Sequence, residues 1–184
     1  MASLADLQQL LAERSAKRGR FTLSSGRESS LYIDARLTTM SPEGLVLIGQ
    51  LGLEALERSG WNVQSVGGLT LGADPIAYAI AYASGLSDRS IRAFTVRKEP
   101  KSHGTAQLIE GPFALGDRVA IVEDVITTGT SALRAANAVT SNGGIVAGVL
   151  AVVDRSEGGR EALQERGFHV IALTTAADIL ARLS

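Results

Sequence analysis

Hydrophobic positions in this chain alternate between two rhythms. Short apolar runs at residues 63–67, 91–96, 119–125, 145–153 and 170–173 read as strands, bounded by glycine or polar residues. In Val119-Ala120-Ile121-Val122 no polar residue interrupts the run, as expected of a strand covered on both faces in a parallel sheet. Between the runs, apolar residues recur at helical spacing over 45–56, 76–83, 131–140, 160–166 and 176–183. Ser41-Pro42-Glu43 is a strong helix start, with a cap, a proline at the first helical position and an acid in the first turn. Asp74-Pro75 starts another helix, and Gly60 and Gly85 close the helices that precede them. Strands alternating with helices predict an α/β fold with a mainly parallel central sheet flanked by helices.

The N-terminal part departs from this rhythm. Leu4, Leu7, Leu10 and Leu11 lie at helical spacing, Ser3 and Asp6 form a capping box, and the helix is expected to stop near Gly19. Residues 21–27 read as a short strand running into a turn. Residues 31–36 alternate apolar and polar positions, which suits a half-exposed antiparallel strand. Residues 1–37 are therefore expected to form a small α+β hood subdomain within one domain spanning 1–184.

Bulk properties narrow the function classes. At 184 residues the chain suits one domain with a substantial core. With 18 basic and 19 acidic residues there is no general basic field, so neither nucleic acid nor a membrane surface is expected as a partner. The absence of cysteine excludes a disulfide framework and any thiolate chemistry. The first residues lack the basic and apolar regions of a signal peptide, and no apolar run approaches the roughly 20 residues of a membrane span. A soluble cytoplasmic protein is the expectation.

The chemistry concentrates at strand ends. The 119–125 run finishes in Glu123 and Asp124, followed by Val125, Ile126, Thr127, Thr128, Gly129, Thr130 and Ser131 before the next helix. The hydroxyls can cap that helix, and Gly129 allows the backbone to curl so that successive N–H groups point inward. Such a loop at a helix N-terminus binds phosphate. The adjacent acids suit ribose hydroxyls or a metal ion rather than phosphate. A phosphate cup beside a diol-binding acid pair describes a site for a ribose 5-phosphate. No Gly-Lys-Ser/Thr follows, so the loop is not a Walker A motif.

Three other strand ends carry candidate groups. Gly67, Gly68 and Gly72 around Thr70 and Leu71 form either a tight strand-to-helix turn or a second anion cup. Arg97, Lys98, Lys101 and His103 fall within seven residues of a long polar stretch, either a solvated charge run or a lid suited to pyrophosphate. Arg155 either binds a planar carboxylate through its guanidinium fork or pairs with Asp154 or Glu157.

The acid-acid-x-x-Thr-Thr-Gly-Thr-Ser stretch resembles the ribose-phosphate motif of the type I phosphoribosyltransferases. Nearly the whole chain is similar to the orotate phosphoribosyltransferases: Phe-Thr-Leu-Ser-Ser-Gly-Arg at 21–27, Gly-Leu-Thr-Leu-Gly-Ala-Asp-Pro-Ile-Ala at 68–77, Arg-Lys-x-x-Lys-x-His-Gly at 97–104, and Val-Asp-Arg at 153–155. The chain departs from the pattern at Ser24, where many members carry lysine. The resemblance implies transfer of ribose 5-phosphate from phosphoribosyl pyrophosphate to N1 of orotate, giving orotidine 5′-monophosphate, with Mg²⁺ on the pyrophosphate. It implies that Thr127, Thr128, Gly129, Thr130 and Ser131 hold the 5-phosphate, with Val125 and Ile126 beside them, and that Glu123 and Asp124 hold the ribose. It places Thr70, Leu71 and Arg97 on phosphoribosyl pyrophosphate, Lys98, Lys101 and His103 around the leaving pyrophosphate, and Thr127 and Arg155 on orotate. Lys101, His103, Glu123 and Asp124 are the implied catalytic residues. A homodimer is implied, with the lid reaching the neighbouring site. The rival readings are a transferase for another base and a non-catalytic sensor of phosphoribosyl pyrophosphate.

Overall fold

The computed structural model describes residues 2–22, 28–99 and 107–183. The chain runs α1 (Leu4–Ser15), β1 (Ala16–Thr22), β2 (Glu28–Ile33), α2 (Arg36–Thr39), α3 (Pro42–Ser59), β3 (Ser65–Leu69), α4 (Ala73–Gly85), β4 (Arg92–Val96), β5 (Ile109–Glu110), β6 (Arg118–Ile126), α5 (Thr130–Ser141), β7 (Ile145–Asp154), α6 (Gly159–Gln164), β8 (Val170–Thr175) and α7 (Ala176–Leu180). The main sheet has the order β5-β4-β3-β6-β7-β8. All its neighbouring pairs are parallel except β4–β5, which is antiparallel. The expected α/β architecture is thus the observed one, and the strand order reverses at β3 and β6.

Two apolar layers cover the sheet. On one face Ile48, Leu53 and Leu56 of α3 and Ile76 and Ile80 of α4 pack with Val66, Val122, Leu150 and the α1 residues Leu7 and Leu11. On the other, Ala132, Ala135 and Val139 of α5 pack with Phe94, Ile121, Val149 and Leu163. Burial on both sides explains why β6 and β7 read as unbroken apolar runs. Among the described residues, no helix is long and apolar enough to cross a membrane.

The hood is a two-stranded antiparallel ribbon, β1 with β2, set against this core. Ser15 and Thr38 hydroxyls meet at 2.7 Å, and Arg18 donates to the carbonyls of Leu180 and Leu183 at 3.3 and 3.1 Å. Helix α1 is shorter than the pattern suggested: it ends at Ser15, and the ribbon begins at Ala16. Hydrogen bonding to a partner strand, which local pattern does not record, decided this boundary. Helix α2 and strand β5 were not anticipated, both being too short for any periodicity to show.

At the N-terminal ends of the strands, buried Asp117 collects donors from three segments: Ser65 Oγ at 3.1 Å, Arg92 Nη2 at 2.6 Å and the Ala114 N–H at 3.0 Å. Removing one partner of a buried charged network strands the others. Asp117→Ala is expected to cost about 2–4 kcal/mol in denaturant unfolding. A loss below about 0.5 kcal/mol, the level of an ordinary surface substitution, would show the network to be dispensable.

Candidate active site

Four strand ends meet at the opposite edge, the C-terminal edge where open parallel sheets bind ligands. They enclose a cleft of about 310 Å³ lined by residues of β2, the 69–72 loop, Lys98, the end of β6, Thr127, Ser131 and Arg155.

The turn from β6 into α5 forms its floor. Gly129 takes φ +76°, the left-handed region, and serves as the N-cap of α5. A Cβ there would also approach the Gly159 carbonyl to 2.9 Å, so glycine is required twice over. No side chain caps α5: the Thr128 and Thr130 hydroxyls instead meet each other at 3.0 Å, which corrects the expected hydroxyl cap. Among the described residues, the N–H groups of Thr127, Thr128 and Gly129 donate no backbone hydrogen bond. Free N–H groups ahead of a helix of this length suit an anion.

The acids lie directly before this turn. Glu123 is buried, and its Oε2 has no hydrogen-bond partner among the described residues. Burial, with the adjacent Asp124 second, pushes the Glu123 carboxyl well above the usual carboxylate range. Burial also raises Asp124, opposed by the Val125 N–H, which donates to its Oδ1 at 2.9 Å, and by more distant Arg36. The 69–72 loop comes up against Asp124: a Cβ on Gly72 would lie 2.7 Å from the Asp124 carboxyl carbon, so any side chain there would displace that carboxyl.

The hood and Lys98 complete the walls. Asp34 and Arg36, both lining the cleft, pair at 2.8 and 3.0 Å, and this pairing lowers the Asp34 pKa. Arg155 pairs with Glu157 at 2.9 Å and donates to the Leu31 carbonyl at 3.2 Å, tying β7 to the hood. The pairing expected as one alternative is therefore present, and Arg155 still lines the cleft. The two ends of the stretch expected to form a lid meet where the Arg97 N–H donates to the Leu108 carbonyl at 2.8 Å.

Of the residues named from sequence, Thr70, Leu71, Lys98, Glu123, Asp124, Val125, Thr127, Ser131 and Arg155 line the cleft. Ile126 lies in the core, while Thr128 and Thr130 are exposed beside the turn. Arg97 faces Glu110 at 3.9 Å and the Glu99 carbonyl at 3.3 Å rather than its own chain's cleft. Lys101, His103 and Ser24 lie outside the described residues. Sequence reasoning missed Tyr32, Ile33, Asp34, Ala35 and Arg36 as lining residues. The available signal was the polar face of the alternating 31–36 segment, which had been assigned to solvent.

Fold and cleft together are those of a type I phosphoribosyltransferase. No family model matches the chain. It is 47% identical over 177 residues to orotate phosphoribosyltransferase of Aquifex aeolicus, covering 95% of this chain and 96% of that protein. A crystal structure of Mycobacterium tuberculosis orotate phosphoribosyltransferase with Fe(III) dicitrate superposes with a TM-score of 0.85 at 46% identity, covering 96% of this chain and 98% of the other. The same enzyme in complex with 5-phospho-α-D-ribosyl 1-diphosphate superposes with a TM-score of 0.81 at 44% identity, over 96% and 98% of the two chains. The chain belongs to the orotate phosphoribosyltransferase family.

A buried acid with a raised pKa takes up a proton on folding, so folding stability falls as pH rises from the ordinary glutamate value toward the raised one. Glu123→Gln removes that dependence. Thermal denaturation of the unliganded protein is expected to show the variant about 2–4 °C more stable near neutrality, with the gap shrinking toward pH 4.5. A variant less stable than wild type at pH 7.5 would mean that the Glu123 charge is compensated in the free protein.

Proposed function

We propose that this chain transfers the ribose 5-phosphate group of phosphoribosyl pyrophosphate to N1 of orotate, releasing pyrophosphate, in pyrimidine nucleotide synthesis. The observation that carries this reading is one continuous turn that presents unpaired N–H groups immediately after a desolvated acid pair. The first suits a phosphate dianion and the second a ribose diol. Family membership at 47% identity supports the base.

In this mechanism the 5-phosphate docks on the cup from Thr127 to Ser131, with Thr128 and Thr130 hydroxyls at its rim. Glu123 and Asp124 accept hydrogen bonds from the ribose hydroxyls. Their negative charge also favours the oxocarbenium character that develops as the C1′–O bond to pyrophosphate lengthens and the N1–C1′ bond forms. Lys98, Lys101 and His103, with Arg97 from the neighbouring subunit, neutralise charge on the leaving pyrophosphate. Lid closure excludes competing water. Arg155 clamps the orotate carboxylate with its guanidinium fork, and exchange of its partner Glu157 for that carboxylate keeps the charge matched.

Mg²⁺ fits this arrangement as a companion of the substrate. Among the described residues, no group of three or more His, Asp or Glu side chains gathers as a closed cage. Magnesium commonly uses one or two carboxylates together with phosphate oxygens, and Glu123 and Asp124 offer hard oxygen donors. When bound, the ion supplies charge neutralisation on the pyrophosphate.

A homodimer accounts for the apolar face of α3 and α4. There Leu45, Val46, Tyr78, Tyr82 and Leu86 line a broad exposed groove, with Tyr82 72% and Leu86 74% accessible. Patches of this kind mark interaction surfaces. A cytoplasmic location agrees with highly charged, diffusible substrates.

Loss of orotate absorbance is expected with phosphoribosyl pyrophosphate and Mg²⁺, stopping on chelation, with uracil and hypoxanthine left unchanged. Arg155→Ala is expected to raise the orotate KM at least about tenfold. Consumption of another base instead of orotate would overturn the substrate assignment. For the shared site, Lys101→Ala and Asp124→Asn are each expected to be nearly inactive, and mixed subunits to recover about a quarter of wild-type activity. No recovery after verified subunit exchange would put each lid over its own cleft.

A further inference from the structure

The 69–72 loop is held by an unusual convergence of hydroxyls. Asp74, in the first turn of α4, accepts from Thr70 Oγ1 at 2.6 Å through one carboxylate oxygen and from Thr95 Oγ1 at 2.8 Å through the other. Thr95 Oγ1 in turn lies 2.9 Å from the Tyr78 hydroxyl. An ionised carboxylate only accepts, so it sets the direction of the whole chain. The Thr70 and Thr95 protons both go to Asp74, and the Tyr78 O–H donates to Thr95. Hydrogen bonds aligned in this way polarise one another.

The members sit where the reading above needs coordination between segments. Thr70 lines the cleft, and two residues later Gly72 presses against Asp124. Thr95 lies near the end of β4, three residues before cleft-lining Lys98. A backbone bond from the Thr70 N–H to the Val96 carbonyl, 2.8 Å, runs beside the side-chain links. Tyr78 stands one turn after Asp74 and, as a residue, is 54% exposed on the apolar α3–α4 face.

We propose that Asp74 is a positioning residue for phosphoribosyl transfer, which with Thr95 and Tyr78 locks the 69–72 loop to the strand that carries the lid and links both to the α3–α4 face. The inference rests on the transfer reading above. A first-turn acid serving only its own helix would not spend both oxygens on hydroxyls from a neighbouring loop and strand. With its proton committed to Asp74, the Thr70 hydroxyl offers the cleft only lone pairs, which suit a water or a substrate hydroxyl rather than a phosphate oxygen. A second copy packed on the α3–α4 face would fix the Tyr78 ring, so assembly would tighten the 69–72 loop at the cleft.

The test compares Thr95→Val, which deletes the central hydroxyl at nearly constant shape, with Thr95→Ser, which keeps it, and with Tyr78→Phe. Calorimetric titration of phosphoribosyl pyrophosphate is run beside steady-state kinetics and thermal melts. Thr95→Val is expected to weaken phosphoribosyl pyrophosphate binding and raise its KM about tenfold, with the orotate KM within about twofold of wild type. Thr95→Ser is expected to restore wild-type values, and Tyr78→Phe to give about a threefold effect confined to the same substrate. Unchanged binding in both Thr95→Val and Tyr78→Phe overturns the inference. So does an equal loss for both substrates in step with the melting temperature, which would mark a structural bond only. Absence of binding by the wild type would instead strike the transfer reading, and the wild-type titration registers that separately. If Thr95→Val fails to fold, Tyr78→Phe alone decides, because it removes one hydroxyl and keeps the ring that packs on the α3–α4 face.

Discussion

Two carboxylates withdrawn from water at the end of β6 set the terms for everything around them. Burial disfavours their charge, yet ribose recognition as proposed requires that charge. The fold resolves this by holding the pair at the end of a strand whose preceding residues are buried on both faces, so the carboxylates are fixed at the cleft. The backbone of the 69–72 loop closes against Asp124 at Gly72, where a larger residue would displace the carboxyl. The unfavourable desolvation is a property of the free protein, and in the proposed mechanism the ribose hydroxyls relieve it. Strain of this kind, stored at a site and maintained by a rigid core, is a recognised signature of function.

The walls of the cleft differ in how firmly they are held. The floor belongs to the sheet and to α5, whose small residues let the helix lie close against β6. The hood reaches the same cleft through Asp34 and Arg36, and is tied across to β7 by Arg155. Arg155 therefore links the two parts of the domain and also carries the proposed specificity for a carboxylated base. A residue that closes the site and reads the substrate couples recognition to geometry without further machinery.

Much of this was legible in the sequence because the relevant signals are local. Continuous apolar runs located the parallel strands, Ser41-Pro42-Glu43 located the start of α3, and the acid pair running into Gly129 located the floor of the site. The expected hydroxyl cap failed for a reason that propensity does not express. A cap binds N–H groups of its helix, and here the N-cap position is taken by a glycine whose left-handed backbone also clears the approach of Gly159. The contribution of residues 32–36 to the cleft was hidden, because alternation says that one face is polar without saying whether that face meets water or a substrate. Asp74 likewise reads from sequence as an ordinary first-turn acid, and its two hydroxyl partners come from a loop and a strand that only the tertiary fold brings together.

The short antiparallel pairing of β4 with β5 has a consequence for how the family can change. Because the Arg97 N–H already meets the Leu108 carbonyl, the intervening stretch begins and ends at one fixed hydrogen-bonded gate. Its length and composition can vary without moving Thr95, the sheet or the acid pair. Doubling such a loop costs only about 0.6 kcal/mol in closure entropy. The enzyme thus carries a natural splice point, where evolution or an engineer can exchange the segment proposed to face the leaving group while the proposed ribose-binding frame stays as it is.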